Sequence, residues 1–249
     1  MTPIHRKQTI MDYLNNFNKV DIEELALQLN VSSMTVRRDL KVLEKEGKLI
    51  RVHGGAVLPQ PLVQETYYKQ KEFIKLEQKQ EIANKAVSFI ESGQTIILDS
   101  GTTTLEIAKL LNKLEGLTII TNDIYIASFL LNGLHEVMVT GGHVQNRIGT
   151  LYGPQTHDFL KNINVDTLFI GASAIDIYAG ITSPTIEKSI IKKLMIQAAE
   201  TSWLVADSSK LDTKALYKVF DLEDISGFIT DKSLTQEQSN KYSNYIKII

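Results

Sequence analysis

The stretch LDSGTTTLEIAKLL, residues 98–111, sets an aspartate, a serine, a glycine and three threonines between an apolar run and a helical one. Where a strand passes into a helix, the first helical N–H groups lack intrahelical partners and carry the positive end of the helix dipole. Ser100, Thr102, Thr103 and Thr104 add hydroxyl donors, and Gly101 lets the loop fold inward without a Cβ. Such a nest suits a small anion, phosphate above all. It is not a nucleotide P-loop, because no glycine-spaced lysine follows. Comparable loops close the other apolar runs: TND at 121–123, TGGH at 140–143, GASA at 171–174, DSSK at 207–210 and TDK at 230–232. Lys210 offers these loops a point charge, and Asp99 and Asp207 offer acceptors for sugar hydroxyls. The same residue types cap helices and fill turns, so each loop alone reads first as structure. Their convergence on one edge is what argues for a site.

A second candidate chemistry lies near the start. Val36, Leu40 and Leu43 follow helical spacing, which leaves Ser33, Met34, Thr35, Arg37, Arg38 and Lys41 facing outward. Arginine suits guanine edges and phosphates through its planar donor fork. A solvated Arg37–Arg38 pair balanced by Asp39 and Glu44 is the plain alternative. The pair opens a third helix that follows a short turn and precedes a hairpin, the position of a recognition helix, so DNA is the preferred reading. Arg51 and His53 in that hairpin would reach an adjacent groove or the backbone.

The elements that must hold these residues fall into two rhythms. Residues 3 to 58 are helical and short in period: Ile10, Leu14 and Phe17, then Ile22, Leu25, Ala26 and Leu29 from an N-cap at Asp21, then the third helix, ending at Gly47. KLIRVHGGAVL supplies two short strands about Gly54–Gly55. Three helices and a hairpin predict a winged helix-turn-helix over residues 1–58, followed by a linker over 59–75. From residue 76 the pattern is a helix containing Gln80 to Ile90 and then alternating strand and helix, with TIILD, LTIIT, EVMVT, DTLFIGA, SWLVAD and GFIT as strands. Leu105–Leu114, Ile124–Leu131 and Glu187–Ala199 are the intervening helices. Continuous apolar strands covered on both faces predict an open, mostly parallel α/β sheet over 76–249. In such sheets ligands sit at the carboxyl ends of the strands.

Composition bounds the rest. The chain has 249 residues and a net charge of −2; nine Lys and Arg against seven Asp and Glu give the first 60 residues +2 and the remainder −4, which places nucleic acid at the N-terminal side. There are no cysteines, which excludes disulfides and thiolate zinc sites, and five histidines scattered without ligand-like spacing argue against a metal. No run approaches the roughly 18–20 apolar residues of a bilayer span, nor does the start resemble a signal peptide, so a soluble cytoplasmic protein without membrane partners is expected.

SxxTVRRDL followed by RVHGGA resembles the N-terminal signature of the DeoR family of bacterial transcriptional regulators. LDSGTTT, ITN, Gly141–Gly142, DTLFIGASAID, GIT, VADSSK and ITD are similar to that family's later landmarks, in the same order. The chain departs from the pattern at ETYYKQK, where Lys69 or Lys71 stands for an arginine, and at Gln78–Lys79, where Glu-Lys is usual. The resemblance implies a winged-helix domain joined to a sensor similar in fold to ribose-5-phosphate isomerase and coenzyme A transferases. It implies a repressor of a sugar or polyol operon, released from operator DNA by a phosphorylated sugar, with no cofactor and no catalytic residues. Asp99 to Thr104 would hold the phosphate, and Thr121, Asn122, Gly141, Gly142, Gly171, Asp207 and Lys210 would line the same pocket. Paired half-sites require a homodimer or higher homo-oligomer. The rival reading is a sugar-phosphate isomerase-like enzyme fused to a DNA-binding module.

Overall fold

The computed structural model describes residues 2–17, 19–52, 54–57, 62 and 67–249. The chain forms two compact units, 1–61 and 62–249.

In the first unit, α1 (Pro3–Phe17), β1 (Lys19–Asp21), α2 (Ile22–Leu29) and α3 (Ser33–Lys45) precede a hairpin of β2 (Ile50–Val52) and β3 (Gly55–Val57). Ile10, Leu14, Ile22, Leu25, Leu29, Val36, Leu40, Leu43 and Leu49 close one apolar core, as their spacing requires. The Asp21 carboxylate accepts from the N–H groups of Glu23 and Glu24 and starts α2, while Ser32 does the same for α3 through Thr35. Asn30 ends α2 in the left-handed conformation, and Gly47, at φ +69°, follows α3. One strand exceeds the expectation: β1 adds to the hairpin, giving the order β1-β3-β2. A Cβ on Gly55 would lie 2.0 Å from the Val20 carbonyl oxygen, so this third strand closes only against a glycine.

The second unit begins with α4 (Tyr68–Phe73) and α5 (Leu76–Val87), and then alternates: β4 (Thr95–Leu98), α6 (Thr102–Leu110), β5 (Thr118–Thr121), α7 (Ile124–Leu130) and β6 (Glu136–Val139). A small hairpin of β7 (His143–Val144) and β8 (Leu151–Tyr152) leads through α8 (Pro154–Lys161) to β9 (Val165–Ile170). After β10 (Ala174–Asp176), β11 (Gly180–Ser183) and α9 (Ile186–Ala198) come β12 (Ala199–Val205), β13 (Tyr217–Phe220), β14 (Gly227–Ile229) and α10 (Gln236–Tyr242).

All six strands expected from the apolar runs lie in one sheet, ordered β14-β12-β9-β4-β5-β6, with every pairing parallel. Successive residues alternate between two cores. Ile97, Ile120, Leu168 and Leu204 pack on one side with Ile191 and Met195 of α9. Ile96, Leu98, Ile119, Phe169 and Trp203 pack on the other with Ile82 of α5, Ile107 of α6 and Ile126 of α7. The alternation explains why these strands read as unbroken apolar runs. The additions are α4, within the expected linker, the β7-β8 hairpin, α8, α10 and a separate antiparallel sheet β10-β11-β13. The chain runs outward from β4 through β5 to β6, then returns to place β9 on the other flank of β4. The strand order therefore reverses between β4 and β9, and a crevice opens beyond their carboxyl ends, at Asp99 and Gly171.

Candidate functional site

On the first unit, burial of Val36, Leu40 and Leu43 fixes which way α3 faces. Arg37, Arg38 and Lys41 are exposed, Met34 is 74% exposed, and Ser33 and Thr35 are half-buried. The acids expected to balance the arginines are engaged elsewhere. Asp39 is buried and takes a two-pronged ion pair from Arg6 of α1, whose Nε–H donates to Oδ2 and whose second nitrogen donates to Oδ1 at 3.2 Å. Glu44 lies 3.7 Å from the Arg51 guanidinium and accepts the Arg51 N–H at 3.2 Å. Arg37, Arg38 and Lys41 form no ion pair with a described residue. Ser33 donates to Glu23 at 2.6 Å, tying the start of α3 to α2. His53 lies outside the described residues. The helix thus shows a cationic face that no described residue neutralises by an ion pair, a composition that meets phosphates and base edges.

In the second unit the crevice is built around Asp99. Its carboxylate receives the Lys192 ammonium from α9 and the Gly171 N–H, at 3.0 Å, from the end of β9. Lys192 also donates to the Gly171 carbonyl at 2.8 Å. Both ionic groups are buried, so this pair rivets the two strands that flank the switch point. Next along the chain, the Ser100 N–H donates to Asn122 Oδ1 at 2.9 Å, and its hydroxyl contacts Asp123 at 2.7 Å and Thr150 at 2.6 Å. Burial holds the Asp123 carboxyl above the usual carboxylate range, against the pull of hydrogen bonds from Ser100, Tyr125 and Ile126.

The helix starts on this edge differ. Asp123 caps α7 and Thr185 caps α9, each through its side chain. Among the described residues no side chain caps α6, which begins at Gly101. A cleft there is lined by Ser100, Gly101 and Thr102, by Tyr68 and Lys71 of α4, by Ile148, and by Lys188 of α9. Among these described residues two are cations and none is an acid. The Tyr68 side chain is buried, and its hydroxyl has no hydrogen-bond partner among the described residues. Tyr68 is held from both sides: its N–H donates to the Arg147 carbonyl at 3.0 Å, and its ring stacks on Tyr125 with centroids 4.0 Å apart.

The expected pocket residues separate into groups. Asp99, Ser100, Thr121, Asn122 and Gly171 are joined through hydrogen bonds at the ends of β4, β5 and β9, with the Thr121 hydroxyl given to the Leu98 carbonyl at 2.8 Å. Thr104 is buried and its hydroxyl bonds the carbonyls of Asp99 and Gly101, so it braces the loop from within. Thr102 is buried and Thr103 half-buried in the first turn of α6. Gly141 and Gly142 lie off the cleft. The Gly141 carbonyl accepts from Thr156 at 2.6 Å, and a Cβ on Gly142, whose φ is +103°, would stand 2.4 Å from the Tyr152 carbonyl oxygen. Asp207 caps the short turn that carries Lys210, at the end of β12, with β9 between it and β4. Among the described residues, no group of three or more His, Asp and Glu is placed to hold a metal ion, and no helix is long and apolar enough to cross a membrane.

Residues 6–61 match the model of the DeoR-like helix-turn-helix domain, and residues 74–232 match that of the DeoR C terminal sensor domain. The chain belongs to the DeoR family. Like the relatives below, this DeoR-family chain is a DNA-binding transcriptional regulator and not an enzyme. It is 38% identical over 234 residues to the HTH-type transcriptional regulator GlpR of Haloferax volcanii, covering 94% of this chain and 92% of that one. It is 35% identical to the HTH-type transcriptional repressor GlcR of Bacillus subtilis, covering 91% and 88%. Among solved structures, ribose 5-phosphate isomerase from Plasmodium falciparum resembles part of it, at 20% identity and a TM-score of 0.39 over 54% of this chain and 52% of that one.

Three residues of the DeoR-family crevice escape a reading of sequence, Tyr68, Lys188 and Lys192, while Lys71 enters it only as one of two lysines that stand for an arginine. The lysines of α9 stand four apart, on one helix face. That spacing marks a shared direction, but only the crossover from β11 turns it toward Asp99. Tyr68 sits in a segment with no periodicity, where burial could not be foreseen.

Proposed function

We propose that the chain is a repressor whose α3 reads operator DNA and whose crevice binds a phosphorylated sugar that releases it. Ser33, Met34, Thr35, Arg37, Arg38, Lys41, Arg51 and His53 form the DNA-reading set, with Arg37 and Arg38 as its main cations. The phosphate sits on the amides of Gly101, Thr102 and Thr103, with Lys71 and Lys188 facing it. The observation that carries this is the start of α6. Among the described residues it has no side-chain cap and no acid in its lining, and it adjoins a buried tyrosine hydroxyl without a partner there. A buried polar group without a partner costs about 1–3 kcal/mol, which a ligand oxygen would recover. Asp99 acts through position: its carboxylate is occupied by Lys192 and Gly171, so it shapes the loop and leaves sugar contacts to Asn122, Asp207 and Lys210.

Release requires that the ligand favour one arrangement over another, since equal affinity for both would shift nothing. α4 supplies two walls of the cleft, Tyr68 and Lys71, and lies in sequence just after the first unit, so the ligand contacts the segment through which the units are joined. A coupling of about 1–3 kcal/mol would change operator affinity roughly 5- to 150-fold.

The test measures binding of the full chain to DNA upstream of its own operon, with a panel of sugar phosphates and their unphosphorylated parents. Relief by one phosphate ester alone is expected. Tight binding that no phosphate ester alters would retain the DNA reader and overturn the sensor. Thr103→Glu, which puts a carboxylate where the phosphate would lie, should abolish relief while sparing DNA binding, and intact relief would remove the phosphate from α6.

A further inference from the structure

The outer edge of the six-stranded sheet is β6, whose only strand partner among the described residues is β5. Edge strands are normally protected by lysine, proline, a bulge or a covering element. Residues 136–140 read EVMVT, with no lysine or proline, and the β5 pairing runs through all four strand residues without a register shift. Glu136, Met138 and Val139 are exposed, and so are Leu131 and Leu134 before the strand and Val144 after it. Leu134 is 87% exposed and Leu131 75%.

The hydrogen-bond parity of the strand is fixed. The N–H groups of Glu136 and Thr140 donate inward, to Leu117 and Thr121. Alternation along a strand then turns the N–H and C=O of Val137 and Val139 outward. These two residues lie symmetrically about Met138.

We infer that β6 pairs antiparallel with β6 of a second copy of this chain, about a two-fold axis at Met138. In that register Val137 of one copy faces Val139 of the other, and each such pair exchanges both of its N–H···O bonds. Met138 faces its own counterpart as a non-hydrogen-bonded pair, and Glu136 faces Thr140, so no like charges meet across the axis. A second copy is the occupant because the outward groups are self-complementary under that rotation, as an isologous interface requires. Leu131, Leu134, Met138, Val139 and Val144, on and beside this edge, are large apolar side chains left exposed, the kind of surface that marks an interaction site. The pairing is independent of what the crevice binds.

The cysteine-free chain offers a direct test. In a non-hydrogen-bonded antiparallel pair the Cα atoms stand about 4.5 Å apart, within disulfide reach. Full-length M138C under mild oxidation should form a disulfide-linked dimer at least about tenfold faster than Y178C, whose site is 82% exposed in the turn between β10 and β11. M138K, which sets two ammonium groups on the axis, should halve the assembly mass in sedimentation equilibrium while its circular dichroism stays unchanged. Equal crosslinking by M138C and Y178C, or an unaltered mass for well-folded M138K, would overturn the inference.

Discussion

The polar residues of the two units are used in opposite ways. On α3 the protein spends its acids elsewhere, Asp39 on Arg6 and Glu44 on Arg51, and leaves Arg37, Arg38 and Lys41 turned outward. On the sheet edge most polar side chains are consumed by the protein itself, Asp99 by Lys192 and Thr104 and Thr121 by backbone carbonyls, and what stays open among the described residues includes a helix start and the hydroxyls of Tyr68 and Thr140. A nucleic-acid face is made from surplus side chains, whereas this crevice is made from backbone that side chains hold in place. Substitutions should therefore damage the first by subtraction and the second by collapse.

The largest effect expected is at Lys192. Lys192→Met leaves Asp99 buried and unpaired and should cost about 3–5 kcal/mol of stability, read by chemical denaturation. Adding Asp99→Asn should return much of it, and if the single variant is as stable as the parent, the rivet between β4 and β9 is not one. Lys79 comes second. It is buried, its ammonium donates to the Lys71 carbonyl, and burial lowers its pKa to about 8, partly countered by Asp207. Between that value and the ordinary 10.5 the unfolded chain holds the proton and the folded chain does not, so stability should rise with pH across this window. The gain is up to about 3 kcal/mol and should vanish from the pH profile of Lys79→Met. An identical profile in the variant would show that Lys79 titrates normally.

Arg37→Ala and Arg38→Ala should each weaken operator binding by about 1–3 kcal/mol, roughly 5- to 150-fold, and leave stability and ligand binding unchanged. A residue on phosphate would also lower the salt dependence by about one ion, while one reading a base would relax sequence preference at one position. The smallest effect distinguishes the two units most finely. Tyr68→Phe removes a hydroxyl that has no partner among the described residues, so thermal stability should hold or rise slightly, while ligand affinity falls by about 1 kcal/mol. A loss of stability with unchanged affinity would mean that the hydroxyl serves the fold.

What was legible in the sequence follows from the same contrast. The six strands, the helical faces, the Asp21 cap and the outward set on α3 all depend on local periodicity, which a sequence displays directly. The hydroxyls of Thr104 and Thr121 looked like ligand donors because residue type says nothing of direction, and at a strand end a threonine can close on a neighbouring carbonyl. Lys188, Lys192 and Tyr68 were invisible as site residues because they arrive from elements far along the chain. Helix α8 was missed because PQTHDFLK is short and buries only Thr156 and Leu160, too few for a period to show.

The bond between Asp99 and Gly171 joins residues 72 positions apart. The crevice therefore has no early form during folding: β4, β5 and β6 with their helices can associate locally, but the switch point exists only after β9 has threaded back beside β4. Long-range parallel pairing of this kind is slow to form. A complete crevice is consequently a late milestone, and a nascent chain cut short before Val165 would own the loop at Asp99–Thr104 without the strand that gives it shape. In a cell, the regulator would gain the proposed response to a ligand only when β9 and the elements packed on it had been made.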